Sequence, residues 1–247
     1  MTAGPEKAGA REARDLLPGM PLMLLDLDNT LVDRDAAFRA AVVDFLAEHG
    51  LASADADWLM GVDEGGYATR QDVAAAMIHR YGDKVPPAAV QGLLREGGAD
   101  RVALTKPTRE ALARARSDGW TCAVVTNGRT AQQNAKMRTS GLDRIVDGWV
   151  VSEAVGHKKP EPEIFRAAAA AVGAPLDGAW VIGDSPHADI AGADALGLRS
   201  VWVSNGRRRP FDGFRPTHVA VDVAAAIDHV LARTEACSGT PDVPGHA

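Results

Sequence analysis

The sequence predicts an α/β protein, a doubly wound parallel sheet of Rossmann-like design that carries a small all-helical insert. Three observations support this. Short apolar runs at "PLMLLD", "WTCAVVT", "AWVIGD" and "RSVWVS" alternate with helical stretches. These runs lack the polar alternation of a half-exposed strand, as strands covered by helices on both faces do. One segment, from about Asp35 to Leu104, breaks the alternation and shows helical patterns alone.

Taken in order, residues 1–20 are rich in glycine, proline and charge without sustained periodicity, and read as a flexible N-terminal tail. The first strand run follows, ending in "DLDNT". Helical patterns then occupy "DAAFRAAVVDFLAEHG", "RQDVAAAMIHRYG" and "PAAVQGLLREGG", and the glycine at the end of each suits a helix stop. Residues 35–104 are therefore expected to form a helical insert domain between segments 21–34 and 105–235 of the α/β core. The remaining strand runs alternate with helices up to a polar tail at 236–247.

The bulk properties narrow the function. The 247 residues are 46% hydrophobic, ample for a packed interior, and the formal charge of −6 disfavours general affinity for nucleic acid or anionic membrane. No apolar run approaches the ~18 residues of a membrane span. Cys122 and Cys237 make no disulfide framework, which fits a reducing cytoplasm. The expected partner is a small molecule, and the expected assembly is a monomer or homodimer.

The chemistry centres on the end of the first strand. Period-two geometry puts Asp26 and Asp28 on one side and turns Leu27 to the other. Two carboxylates a few ångströms apart repel by ~4 kcal/mol at an effective dielectric near 20, so one is protonated or a cation lies between them. Ligands of open parallel sheets gather beyond the carboxyl ends of the strands. There "VVTNG" places Thr126 and Asn127, "VIGDSPHADIAGA" places Asp184 and Asp189, and "GHKKPEPEIF" contributes Lys159. Clustered carboxylate oxygens suit Mg²⁺. A hydroxyl, loop amides and an ammonium suit phosphate.

The order "DLDNT", "VVTNG", "KKPEPEIF", "GDSPHADIAGA" resembles the four motifs of the haloacid dehalogenase superfamily and covers about Leu22 to Val230. A helical insert just after the first motif is similar to the cap of the branch that holds phosphoglycolate phosphatase, β-phosphoglucomutase and nucleotide phosphatases. The resemblance implies a Mg²⁺-dependent phosphatase acting on a small phosphorylated metabolite (sugar phosphate, nucleotide or phospho-acid) through an aspartyl-phosphate. It implies Asp26 as nucleophile and Asp28 as general acid and base with its backbone carbonyl on the metal. Thr126 and Asn127 would then hold the phosphoryl group, and Lys159 would pair with it and with Asp26. Asp184 would bind the metal, with Asp189 binding or orienting it. The acid at Asp28 favours phosphoryl transfer over dehalogenation, and Lys84 in its "VPP" setting is a poor Schiff-base lysine. A phosphomutase of the β-phosphoglucomutase type and a non-catalytic phosphometabolite-binding module are the alternatives.

Further residues have weaker signals. "GVDEGGYATRQDV" makes Tyr67 and Arg70 candidates for contact with the leaving group, and His187 lies in the loop between Asp184 and Asp189. His157 and Lys158 read as exposed loop residues. The run "NGRRRPFDGFRP", with Arg207, Arg208, Arg209 and Arg215, reads as a solvated face.

Overall fold

The computed structural model describes residues 20–208, 213 and 215–238. Its strands are β1 (Leu22–Leu25), β2 (Thr121–Thr126), β3 (Gly148–Val151), β4 (Trp180–Gly183), β5 (Arg199–Val203) and β6 (His218–Ala220). All pair in parallel in the order β3-β2-β1-β4-β5-β6. The helices are α1 (Arg34–Glu48), α2 (Asp55–Asp63), α3 (Arg70–Tyr81), α4 (Pro87–Glu96), α5 (Lys106–Ser117), α6 (Thr130–Ser140), α7 (Ser152–Val155), α8 (Pro162–Val172), α9 (Ala191–Ala195) and α10 (Val223–Ser238). The expected N-terminal tail and most of the C-terminal one lie outside the described residues. Among the described residues, no helix is long and apolar enough to cross a membrane.

Every residue of β1, β2 and β4 is buried, which is why these runs show no polar alternation. Their side chains still alternate in direction. Met23, Leu25, Cys122, Val124 and Ile182 pack with Ala111 and Leu112 of α5 and Ile227 and Val230 of α10. On the opposite face Leu22, Leu24, Ala123, Val125 and Val181 pack with Ile164, Phe165 and Ala168 of α8. Two strands escape the sequence reading, β3 and β6. Both are outermost in the sheet, only three or four residues long, and partly exposed, so their apolar runs are short and diluted.

Between β1 and β2 the described chain is helical, as expected. Asp33 caps α1 by accepting from the Ala36 amide at 2.8 Å, and Thr69 caps α3 from the Asp72 amide at 3.1 Å. Gly97, at φ 56°, ends α4 in the left-handed region. α2 escapes the sequence reading: Asp55 and Asp57 suit a helix start, but no side chain caps it at Ala54 and Gly61 falls in its last turn. The helices enclose an apolar cluster of their own, with Phe38, Val42, Leu59, Met77, Val90 and Leu94 at its centre. That cluster is separate from the two that cover the sheet.

Candidate active site

The carboxyl ends of β1, β2 and β4 converge on a cavity of about 530 Å³. Asp26 directly follows β1, and its amide extends the sheet by donating to the Ile182 carbonyl at 2.9 Å. The chain then turns sharply. Asn29 takes a left-handed φ of 58°, donates its amide to the Val32 carbonyl and accepts from the Asp35 amide through its side chain. This turn brings Thr30 back beneath the strand end, where its hydroxyl donates to Asp26 Oδ2 at 3.0 Å.

Lys159 enters from the loop before α8. Its ammonium donates to Asp26 Oδ1 at 2.5 Å and lies 2.8 Å from Asp189 Oδ1, and all three side chains are nearly inaccessible. Asn127 fixes that loop: its side-chain amide donates to the Lys159 carbonyl at 3.0 Å and accepts from the Lys159 amide at 2.8 Å. The turn after β4 is just as closely set. The Ser185 amide donates to Asp189 Oδ2 at 3.0 Å, and a Cβ at Gly183 would fall 2.2 Å from the Asp189 carboxylate. Only glycine leaves room there.

One oxygen from each of Asp26, Asp184 and Asp189 lies within 4.8 Å of the others, and all three residues are buried. Burial holds the Asp26 carboxyl well above the ordinary range. Lys159 opposes that shift, and Asp189 and Asp184 reinforce it. Asp184 is pushed up to about 6, first by burial and then by Asp189. Burial alone would depress the Lys159 ammonium, but Asp189 and Asp26 outweigh it and hold the group above its usual value. Such a crowded set of hard oxygens is chemically fitted to a small divalent cation, which would relieve the repulsion that raises the carboxyls.

Asp28 faces other partners. Lys136 donates to both of its oxygens at 2.7 Å, and Gln133 donates to Oδ2 at 2.9 Å. Gln133 also donates to Thr126 Oγ1 and, at 3.2 Å, to the Asn127 carbonyl, so a single amide joins three of the sequence-predicted residues. Thr30, Gln133 and Lys136 had no place in the sequence reading. Arg207 is a correction: it is not merely part of a solvated face, because its guanidinium donates to Asp184 Oδ2 at 3.0 Å and to the Asp184 carbonyl at 2.8 Å. Arg208 is exposed, and Arg209 lies outside the described residues.

From the helical segment, Arg34, Tyr67 and Arg70 line the same cavity, as does His187 from the β4 loop. Tyr67 stays largely exposed, yet desolvation at the cavity raises its phenol; a Ser185 hydrogen bond opposes this, and Asp184, Asp189 and Asp26 add to it. Arg70 donates to Gln132, whose amide donates to the Glu96 carbonyl at 3.0 Å. Partial burial depresses the Arg70 guanidinium, and Arg129 and Arg34 depress it further. His157 and Lys158 are exposed as expected, with His157 bonded to Glu161, although Lys158 also borders the cavity.

A doubly wound parallel sheet with an acid cluster and a buried lysine at its central strand ends defines a class of α/β proteins that do their chemistry at the sheet edge. Within that class the chain belongs to the haloacid dehalogenase-like hydrolases, whose family model matches residues 20–197. It is 31% identical over 193 residues to a phosphoglycolate phosphatase from Cereibacter sphaeroides, covering 76% of this chain and 87% of that protein. It is 40% identical over 103 residues to a phosphoserine phosphatase from Thermus thermophilus. That match takes in 41% of each protein, so the chain spans about two fifths of that relative's length. The fold is similar to that of the HAD-hydrolase YfnB from Bacillus subtilis, solved bound to magnesium. The TM-score is 0.73 at 23% identity, covering 86% of this chain and 98% of that one.

Proposed function

We propose that the protein is a Mg²⁺-dependent phosphatase that hydrolyses a small phosphorylated metabolite through an aspartyl-phosphate on Asp26. The observation that carries this reading is the placement of Asp26. It is buried at a strand end, bonded by Lys159 and Thr30 and set among Asp184 and Asp189 at the floor of a cavity. Phosphatase names among the relatives support the reaction class.

On this reading Asp26 attacks phosphorus, and Asp28 gives a proton to the departing oxygen and later takes one from water. Thr126 and Asn127 border the phosphoryl group, and Lys159 offsets its charge. Asp26, Asp184 and Asp189, with the Asp28 backbone carbonyl, would hold Mg²⁺. When bound, the ion supplies counter-charge to the phosphoryl oxygens and to the clustered acids. Asn127 has a second task, since both ends of its side-chain amide hold the Lys159 backbone.

Residues 35–104 act as the cap domain over a core of 21–34 and 105–235, and Tyr67, Arg70 and His187 face the substrate's leaving portion. The separate apolar cluster of the helical segment supports that division. The buried free thiol of Cys122 fits the cytoplasmic setting proposed with it.

A phosphate-release screen with Mg²⁺ over phospho-acids, sugar phosphates and nucleotides tests the proposal. Release of phosphate from one class well above the rest is the expected result. Isomerised hexose phosphate without free phosphate would replace the reading with a mutase. Binding without any turnover would leave a binding module.

A further inference from the structure

Asp28 and Lys136 form an ion pair that the strand-end motifs do not require. The Lys136 side chain is 3% exposed, and it sits on α6, one turn beyond Gln133, which is 1% exposed. Burying an unpaired ammonium costs several kcal/mol, so Lys136 stays inside only with a partner. Its partner is Asp28, whose side chain remains 26% exposed and borders the cavity.

We infer that Lys136, assisted by Gln133, is a positioning residue that holds the Asp28 carboxylate in its working orientation. The inference rests on the phosphatase reading above. A carboxylate has about four acceptor sites, two on each oxygen. Lys136 takes one on each oxygen at 2.7 Å, and Gln133 takes a second on Oδ2 at 2.9 Å. One acceptor remains, on Oδ1. Held at three points, the group does not swing away from the reacting atoms. Gln133 is itself fixed: it reaches Thr126, and a Cβ at Gly128 would press within 3.1 Å of its side chain.

The two half-reactions make different demands on this group. In the first, an Asp26 oxygen bonds to phosphorus, the bond from phosphorus to the leaving oxygen breaks, and that oxygen takes the proton carried by Asp28. In the second, water attacks phosphorus and gives a proton to Asp28. The bond from phosphorus to Asp26 breaks, the electron pair returns to Asp26, and inorganic phosphate leaves. An activated aryl leaving group departs as its anion and does not need the first proton. The second half needs Asp28 whatever the substrate.

The test is rapid-quench kinetics on Lys136→Met and Lys136→Gln in the full chain with Mg²⁺. With p-nitrophenyl phosphate, Lys136→Met is expected to release a burst of about one nitrophenolate per chain. Turnover should then be on the order of 100-fold slower than wild type, with phosphoenzyme accumulating. With an alkyl phosphate the same variant should show no burst. Lys136→Gln, which keeps one donor, should fall between the two, and it carries the comparison if the Met variant does not fold. Equal loss of both half-reactions with no phosphoenzyme build-up would make Lys136 a packing residue and overturn the inference. So would wild-type rates in both variants. A wild-type protein that forms no phosphoenzyme and hydrolyses neither compound would overturn the phosphatase reading itself, and this inference with it.

Discussion

The two walls of the cavity are built on different principles. On the sheet side the acids and the buried lysines engage charged partners: Lys159 lies between Asp26 and Asp189, Lys136 holds Asp28, and Arg207 holds Asp184. On the helical side Arg34 is paired with Asp63 and Asp35, but Tyr67 is largely exposed and Arg70 is bonded to the neutral Gln132. Charges fixed against one another resist displacement and are fitted to one reaction geometry. A cation held by a neutral amide keeps its charge for an incoming ligand. On the proposed function, this difference places the chemical step at the sheet edge and leaves discrimination between substrates to the helices.

The strongest attack on that division is Asp26→Asn. The amide is nearly isosteric but does not displace a leaving group from phosphorus, so turnover should fall more than about 100-fold on every substrate while the fold survives. Circular dichroism and a fluoroberyllate trapping assay check both halves, since the trapped adduct should be lost as well. Retention of more than a hundredth of the rate, in a preparation free of deamidation and contaminating phosphatase, would remove Asp26 as nucleophile. Removal of metal should be almost as severe. EDTA should abolish phosphate release, Mg²⁺ should restore it, and Ca²⁺ with its larger coordination shell should restore it poorly. Full activity after exhaustive chelation would point to metal-free chemistry.

The sheet side also makes a prediction about pH. Burial and Asp189 hold Asp184 at about 6, whereas an unfolded chain returns it to about 4. Between those values the folded protein carries more protons than the unfolded one, so this group's contribution to stability is full below about pH 4. It is lost as pH rises through about 6, by on the order of 2–3 kcal/mol. Urea unfolding of the metal-free protein and of Asp184→Asn across pH 4 to 7.5 isolates it. The variant should gain on wild type as pH rises, and Mg²⁺ should narrow the gap by taking up the carboxylate charge. A gap that widened toward acid would mean that Asp184 is held as a carboxylate by Arg207 rather than raised by burial.

How far the site was legible follows from where its residues lie. Asp26, Asp28, Thr126 and Asp184 sit where an apolar strand run gives way to polar residues, Asp189 follows in the turn after β4, and Lys159 stands in a loop where the following Pro160 marks it. Lys136 and Gln133 have no such marker, because pattern reading assigns polar helix residues to solvent. A clue was still present. α6 contains "TAQQNAKMRTS", with too few apolar residues to supply a core-facing stripe, so part of its buried face has to be polar and partnered. Arg207 was hidden differently. Within a run of arginines, nothing in the sequence separates the one that turns back to Asp184 from its exposed neighbour Arg208. β3 and β6 were lost to their brevity at the sheet edges.

The smallest predicted effect falls on the helical side and bears most directly on the division of labour. Arg70 is half-buried, and its charge is unfavourably placed beside Arg129 and Arg34. A substrate group that accepts a hydrogen bond from it relieves that repulsion as well as making a contact. Arg70→Ala should therefore lower kcat/KM for the preferred metabolite by about 1–3 kcal/mol, the worth of a charged hydrogen bond. Hydrolysis of a small aryl phosphate, which presents no such group, should change less than about twofold by the same kinetic measure. Losing the bond to Gln132 loosens a tie between α3 and α6, but that loss acts on both substrates alike. The ratio of the two effects therefore reads recognition, free of any structural contribution. Equal losses would place Arg70 with the chemical step or with folding and erase the contrast between the walls. No loss on either would leave recognition to Tyr67 and the neighbouring glycines, and the helical side would keep its role through a different residue.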